Sequence, residues 1–146
     1  MKINRFEDLK VWQLAHELSI GAAKLVKCFP KDEKYDLASQ MRRSARSIPS
    51  DISEGFGRYH FNDKLTFYER AQSSLGELRN HFNEALGNGY IDKVVNGGFL
   101  KKVDEIGYLL HRMMRNVRKA RDLHDMNKKL RQSSSRRVTS NHATRD

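Results

Sequence analysis

The chain has 146 residues, with 28 lysines and arginines against 18 aspartates and glutamates, a formal net charge of +10. That length fits one domain with its own core, and 38% hydrophobic against 32% charged residues leaves room for a solvated segment beside it. No apolar run approaches the roughly 18–20 residues that cross a bilayer. The opening stretch lacks the apolar centre of a secretory leader. The only cysteine, Cys28, excludes an internal disulfide framework and a cysteine-based zinc site. A cytoplasmic protein with no membrane partner is the expectation.

In chain order, Val11, Ala15, Leu18, Ala22, Leu25 and Phe29 alternate steps of four and three, one apolar face of a first helix. Phe29-Pro30 ends it, because the residue before a proline avoids the helical region. A second helix carries Leu37, Met41, Ser44, Ala45, Ile48 and Ile52. Pro49 lies inside it, lacks a backbone donor and predicts a kink or break. Gly55-Phe56-Gly57 predicts its stop, glycine being free to turn left-handed. A third helix shows Phe61, Leu65, Tyr68, Ala71, Leu75, Leu78, Phe82 and Ala85. Asn62 or Asp63 suits its cap, and Gly87-Asn88-Gly89 its end.

A short connection from Tyr90 to Gly98 leads to a fourth helix with Val103, Ile106, Leu110, Met113, Val117 and Ala120. Four seams with short links predict an all-α fold, an antiparallel four-helix bundle over residues 1–125. Trp12, Leu14, Phe56, Phe67, Leu109 and Met114 fall off the seams. They read as a broad core stripe, above all Leu14, Leu109 and Met114, or as a second face for another subunit.

Residues 126–146 read differently. From Asn127 on, six basic residues face only Asp146, and the preceding residues hold 22 basic and 17 acidic ones. The last seventh of the chain thus carries half the excess charge. Gln132-Ser133-Ser134-Ser135 and the Thr139–Thr144 stretch lack apolar periodicity. A disordered or weakly ordered basic C-terminal tail is predicted, either a nucleic-acid contact or a merely solubilising end.

The candidate binding residues are clustered arginines and lysines. Arg42, Arg43 and Arg46 fall within five residues on the second helix, and Arg58 follows its glycine stop. Arg42 and Arg43 read equally as salt-bridge partners within the bundle. On the fourth helix Arg112, Arg115, Arg118, Lys119 and Arg121 crowd into ten residues against Asp122. The tail adds Lys128, Lys129, Arg131, Arg136 and Arg137. Cations near a helix C-terminus complement the helix dipole, but this many repel one another until phosphates or carboxylates offset them. Arginine's planar fork suits phosphate oxygens. No sequence-reading motif appears, so contact is expected to follow the phosphate backbone. Phe56, Tyr59 and Phe61 flank Arg58 as stacking candidates, although Phe56 and Phe61 also suit closing the bundle end.

Catalytic constellations are weak. There is no inward Glu-x-x-His pair for a bundle di-iron site and no His-Glu-x-x-His helix. Gly55-Phe56-Gly57-Arg58 lacks the third glycine and the preceding strand of a dinucleotide loop. Glu77, His81 and Glu84 share a helix face, read as a solvated charged face rather than a metal site. Cys28 reads as buried or idle, with no base and orienting group to make it a nucleophile. No cofactor, metal or enzymatic activity is expected.

The stretch Tyr35-Asp36-Leu37-Ala38-Ser39-Gln40-Met41-Arg42-Arg43-Ser44-Ala45-Arg46-Ser47-Ile48-Pro49-Ser50-Asp51-Ile52-Ser53-Glu54-Gly55-Phe56-Gly57-Arg58 resembles a bacterial four-helix-bundle family. That family was first noted as encoded within intervening sequences of large-subunit ribosomal RNA, and it includes relatives of the accessory variability determinant of diversity-generating retroelements. Phe6–Trp12 is similar to the family's opening, Phe29–Tyr35 to its first turn, and Ser74–Leu78 with Gly89-Tyr90-Ile91 to its third helix and exit. The likeness spans roughly Arg5 to Ala120. Asp51 and Ser53 stand where the family more often has Asn and Ala, which adds negative charge beside Glu54. The resemblance implies a homopentameric ring with a basic surface, no known catalysis, and, for retroelement members, nucleic-acid binding beside a reverse transcriptase. Two functions follow as expectations: a nucleic-acid-binding accessory protein, possible partner of a reverse transcriptase, or an oligomeric protein-interaction scaffold.

Overall fold

The computed structural model describes the backbone of residues 2–142 and side chains as far as Val138. Four helices make the fold: α1 (Lys10–Leu25), α2 (Leu37–Gly57), α3 (Phe61–Gly87) and α4 (Lys93–His142). Short 3-10 turns at Phe6–Asp8, Val26–Cys28 and Lys31–Tyr35 shape the opening and the first connection. α2 packs on α1 and α3, and α4 packs on the same two helices. Among the described residues no Cα pair within 8 Å joins α2 to α4, so these two stand at diagonal corners.

The seams predicted from spacing form the core. Val11, Ala15, Leu18 and Ala22 of α1 meet Met41, Ala45, Ile48 and Ile52 of α2 in one buried cluster with Leu75, Leu78, Phe82, Val103, Ile106 and Leu110. A second cluster, Leu65, Tyr68 and Met114, lies beyond it, flanked by Met113 and Val117. Leu14 and Leu109 pack half-buried against the core. Trp12, Phe56 and Phe67 are half-buried, and Ala120 is exposed.

α2 and α3 approach closely at Gly55. A Cβ built there would lie 2.5 Å from Tyr68 Cε1 and 3.1 Å from Phe67 Cβ. This glycine serves close packing, and its backbone is not left-handed, contrary to expectation; Gly89 is the one described residue with positive φ, at 74°. α2's last carbonyls are satisfied by Lys64, whose Nζ donates to Gly55 O at 3.3 Å and Phe56 O at 2.8 Å. Burial lowers the Lys64 pKa.

The exit of α3 uses its glycine. The Gly89 N–H donates to Leu86 O and the Tyr90 N–H to Ala85 O, the paired bonds of a Schellman turn. Asp92 then caps α4, its Oδ1 accepting from the Val95 N–H at 2.8 Å. Capping at Asp92 is why α4 starts at Lys93, drawing Gly97 and Gly98 into the helix instead of the connection. α3 likewise starts at Phe61 without a side-chain cap from Asn62 or Asp63.

Two further differences have clear causes. α2 passes through Pro49 without a break, because fully buried Ala45, Ile48 and Ile52 anchor both sides of it and outweigh the cost of a lost bond. The predicted tail is helical through His142; residues 143–146 lie outside the described residues. α4 is already nucleated in the bundle, and adding residues to a formed helix is cheap. No glycine or proline follows Gly107 to stop it.

Gly55→Ala is expected to cost about 1–3 kcal/mol through overpacking on Tyr68. It should appear as a lower urea midpoint; an unchanged midpoint would remove close approach as the reason for this glycine.

Candidate nucleic-acid interface

α4 runs beside α3 as far as the start of α3. There the rings of Phe61 and His124 lie 5.9 Å apart, and Arg121 Nη1 donates to Asn62 Oδ1 at 3.1 Å. Past Asp125 no neighbouring helix is long enough to follow. The 17 residues from Met126 to His142 extend about 25 Å beyond the bundle at 1.5 Å per residue. Every residue from Asp122 to Val138 is exposed.

Charge concentrates on this half of α4. From Arg112 to Val138 ten lysines and arginines face only Asp122 and Asp125, an excess of eight in a chain of net charge +10. The structure sorts them. Arg118 Nη2 lies 3.5 Å from Glu69 Oε1, and Arg121 Nε lies 3.1 Å from Asp122 Oδ1. Arg112, Arg115, Lys119, Lys128, Lys129 and Arg131 are exposed and make no ion pair among the described residues. Arg136 and Arg137 are exposed but take part in local interactions.

A second basic face lies on α2. Arg42, Arg43 and Arg46, joined by Ser39, Ser47 and Ser50, line an open cavity of about 610 Å³. Among the described residues none of the three arginines is in an ion pair, so the salt-bridge reading of Arg42 and Arg43 does not describe this structure. Arg42 Nη2 donates instead to the Lys34 carbonyl at 3.3 Å. That carbonyl belongs to the Lys31–Tyr35 turn, which Glu33 holds down. Glu33 Oε1 accepts from the Tyr90 hydroxyl at 2.6 Å, and its Oε2 accepts from the Leu37 N–H at 3.3 Å. The carboxylate pushes the Tyr90 phenol up to about 12.

Arg58 belongs to neither face. It pairs with Glu54 at 3.1 Å and lies 4.6 Å from the Phe67 ring centroid. Phe56 and Phe61 are half-buried at the bundle end, whereas Tyr59 is 90% exposed. Asp51 points toward Arg70 on α3, 3.8 Å away, and its negative charge is not in the α2 cavity. His81 differs from the expected solvated face: it is buried, with Nε2 3.4 Å from Glu77 Oε1 and Nδ1 3.7 Å from Glu84 Oε2. Cys28 is exposed. Sequence reading missed Lys27, Lys31 and Lys34, which flank Arg42 in space; their interrupted spacing across a turn hides the cluster.

A family model described as 23S rRNA-intervening sequence protein matches residues 7–112. The chain belongs to this family. The match stops within α4, so the exposed half of that helix lies beyond it. Among solved structures, a protein of unknown function from the S23 ribosomal protein family of Bacteroides thetaiotaomicron is similar, with a TM-score of 0.68 at 20% identity. The alignment covers 72% of this chain and 95% of that one, and it shows a shared fold. None of the curated proteins compared with the chain matches it. Among the described residues no helix is long and apolar enough to cross a membrane.

Asp51 gives a pH test of this geometry. Burial raises its pKa, Arg70 opposes that, and Glu54 adds to it. A raised folded-state pKa means that the charged form costs stability at neutral pH, and the cost fades as pH falls and the carboxyl protonates. Asp51→Asn should therefore raise the urea midpoint near pH 7, and the gain should vanish near pH 3. An equal gain at both would show that charge is not the cause.

Proposed function

We propose that the protein is a non-enzymatic accessory protein that acts as a homo-oligomer and grips the phosphate backbone of nucleic acid along the outer half of α4. The observation that carries this reading is the ten-to-two charge ratio from Arg112 to Val138 on one exposed helix. That stretch is about 40 Å long, against one phosphate per roughly 1.7 Å of duplex axis. Self-repulsion along such a helix is relieved most simply by a polyanion. The family's description, with its reference to 23S rRNA intervening sequences, makes structured RNA the first ligand to test.

Self-association draws support from residues on the side of α4 turned from the bundle. Tyr108, Leu123, Met126 and Leu130 are 54–62% exposed. At about 100° per residue they lie roughly opposite the Leu110, Val117 and Arg121 side. A pentamer is the assembly that the family resemblance implies. Light scattering at micromolar protein should give a multiple of the 17.0 kDa chain mass; a monomer mass overturns this part. A reverse-transcriptase gene beside the gene for this chain, with co-purification of the two products, would support the retroelement role.

Titrating labelled structured RNA and duplex DNA across salt tests the binding reading. If six to ten phosphates are contacted, affinity should fall about 10³–10⁵-fold between 50 and 200 mM salt. A chain ending at Asp125 keeps every buried residue and should bind more weakly with a shallower slope. No binding of either ligand at low salt would overturn the reading in favour of a protein scaffold.

A further inference from the structure

We infer that the α2 face is a second, separate nucleic-acid site, shaped for an unpaired strand. This extends the reading above to a different set of residues. α2 and α4 occupy diagonal corners with α1 and α3 between them. A strand lying along α4 therefore does not reach the α2 cavity without wrapping around the bundle.

The α2 cavity does not stand alone. It shares Arg42 with an adjoining hollow of about 390 Å³. The floor of that hollow is apolar, made by Val26, Phe29, Pro30 and Ala38. Its rim carries Lys27, Lys31 and Lys34 beside Arg42. The two spaces together present six cations, and no acidic residue lines either one. Of the carboxylates beside them, Glu33 is engaged by Tyr90 and Leu37 and Asp36 by Gln40, and exposed Asp32 lines neither space. The hydrogen bond to the Lys34 carbonyl holds Arg42 where the spaces join.

An apolar hollow ringed by ammonium groups fits a flat, weakly polar body with anions at its edges. A nucleobase between two phosphates has that form. The next phosphates along the strand meet Arg43, beside Arg42, and Arg46, one helical turn further on, with serine hydroxyls as neutral donors. In a duplex the bases are stacked inside and cannot enter the hollow, whereas an unpaired loop or end exposes them. The combination selects unpaired nucleic acid, in contrast to α4, whose contacts are to backbone alone.

The test compares an unstructured RNA of about twelve nucleotides with its duplex. Arg43→Glu combined with Arg46→Glu alters only exposed side chains, and circular dichroism checks the fold. Binding of the single strand should fall at least about tenfold, with duplex binding changed less than about threefold; Arg112→Glu with Arg115→Glu should show the reverse bias. On the unaltered protein, a photoreactive 4-thiouridine oligonucleotide should crosslink within residues 26–46. Equal losses for both ligands, an unchanged single-strand affinity, or crosslinks confined to α4 would overturn the second site while leaving the α4 reading in place. Binding of an acidic peptide at this face in preference to the RNA would overturn it too. Duplex binding left unchanged by Arg112→Glu with Arg115→Glu, with single-strand binding still lost on the α2 variant, would overturn the α4 reading and leave this site standing.

Discussion

A bundle can bury only as much of a helix as its neighbours are long. Here the helices have 16, 21, 27 and 50 residues, and they share one core. α1 is the shortest, so the main cluster ends near Leu110 and a smaller one, around Tyr68 and Met114, continues between α3 and α4. Once α3 also ends, α4 has nothing left to pack on. The exposure of the outer half of α4 follows from this inequality.

The same constraint divides the cations by task. Where α4 has a neighbour, Arg118 and Arg121 find Glu69 and Asn62 across the α3–α4 seam. Exposed pairs of this kind contribute little to stability, but they occupy those side chains. Where the partner helix turns away or stops, Arg112, Arg115, Lys119, Lys128, Lys129 and Arg131 pair with no carboxylate among the described residues. On α2, Arg43 and Arg46 lie exposed on the face turned from Met41, Ala45 and Ile48, with half-buried Arg42 at its edge. That face keeps its charge because the core takes the other side of the helix.

Much of the fold was legible because apolar spacing records burial directly. Nearly every seam position from Val11 to Leu110 is buried, and the Gly87-Asn88-Gly89 exit closes at a glycine of positive φ. What misled the reading were local signals overruled by distant partners. Pro49 predicts a break only if nothing holds its flanks. The serine-rich basic stretch, expected to be disordered or weakly ordered, extends α4 as exposed helix with nothing packed on it among the described residues. The candidate site was legible as clusters of arginine along helices, but not in its sorting. Whether Arg58 is free depends on Glu54 and Phe67, and whether Lys31 joins Arg42 depends on a turn fixed by Tyr90, 57 positions from Glu33. Such pairings depend on tertiary geometry and leave no periodic trace in the sequence.

The projecting part of α4 has a consequence of shape. Beside α3, the cations of α4 are limited to the sides left open. Past Asp125 that restriction is gone, and Lys128, Lys129, Arg131, Arg136 and Arg137 are distributed around the whole circumference at about 100° per residue. A rod charged on all sides is poorly used on a flat surface, where half its cations face away from the ligand. If the proposed phosphate contact holds, the rod would be fully used only between two walls of phosphate, such as the major groove of a B-form duplex, about 12 Å wide, which admits one α-helix.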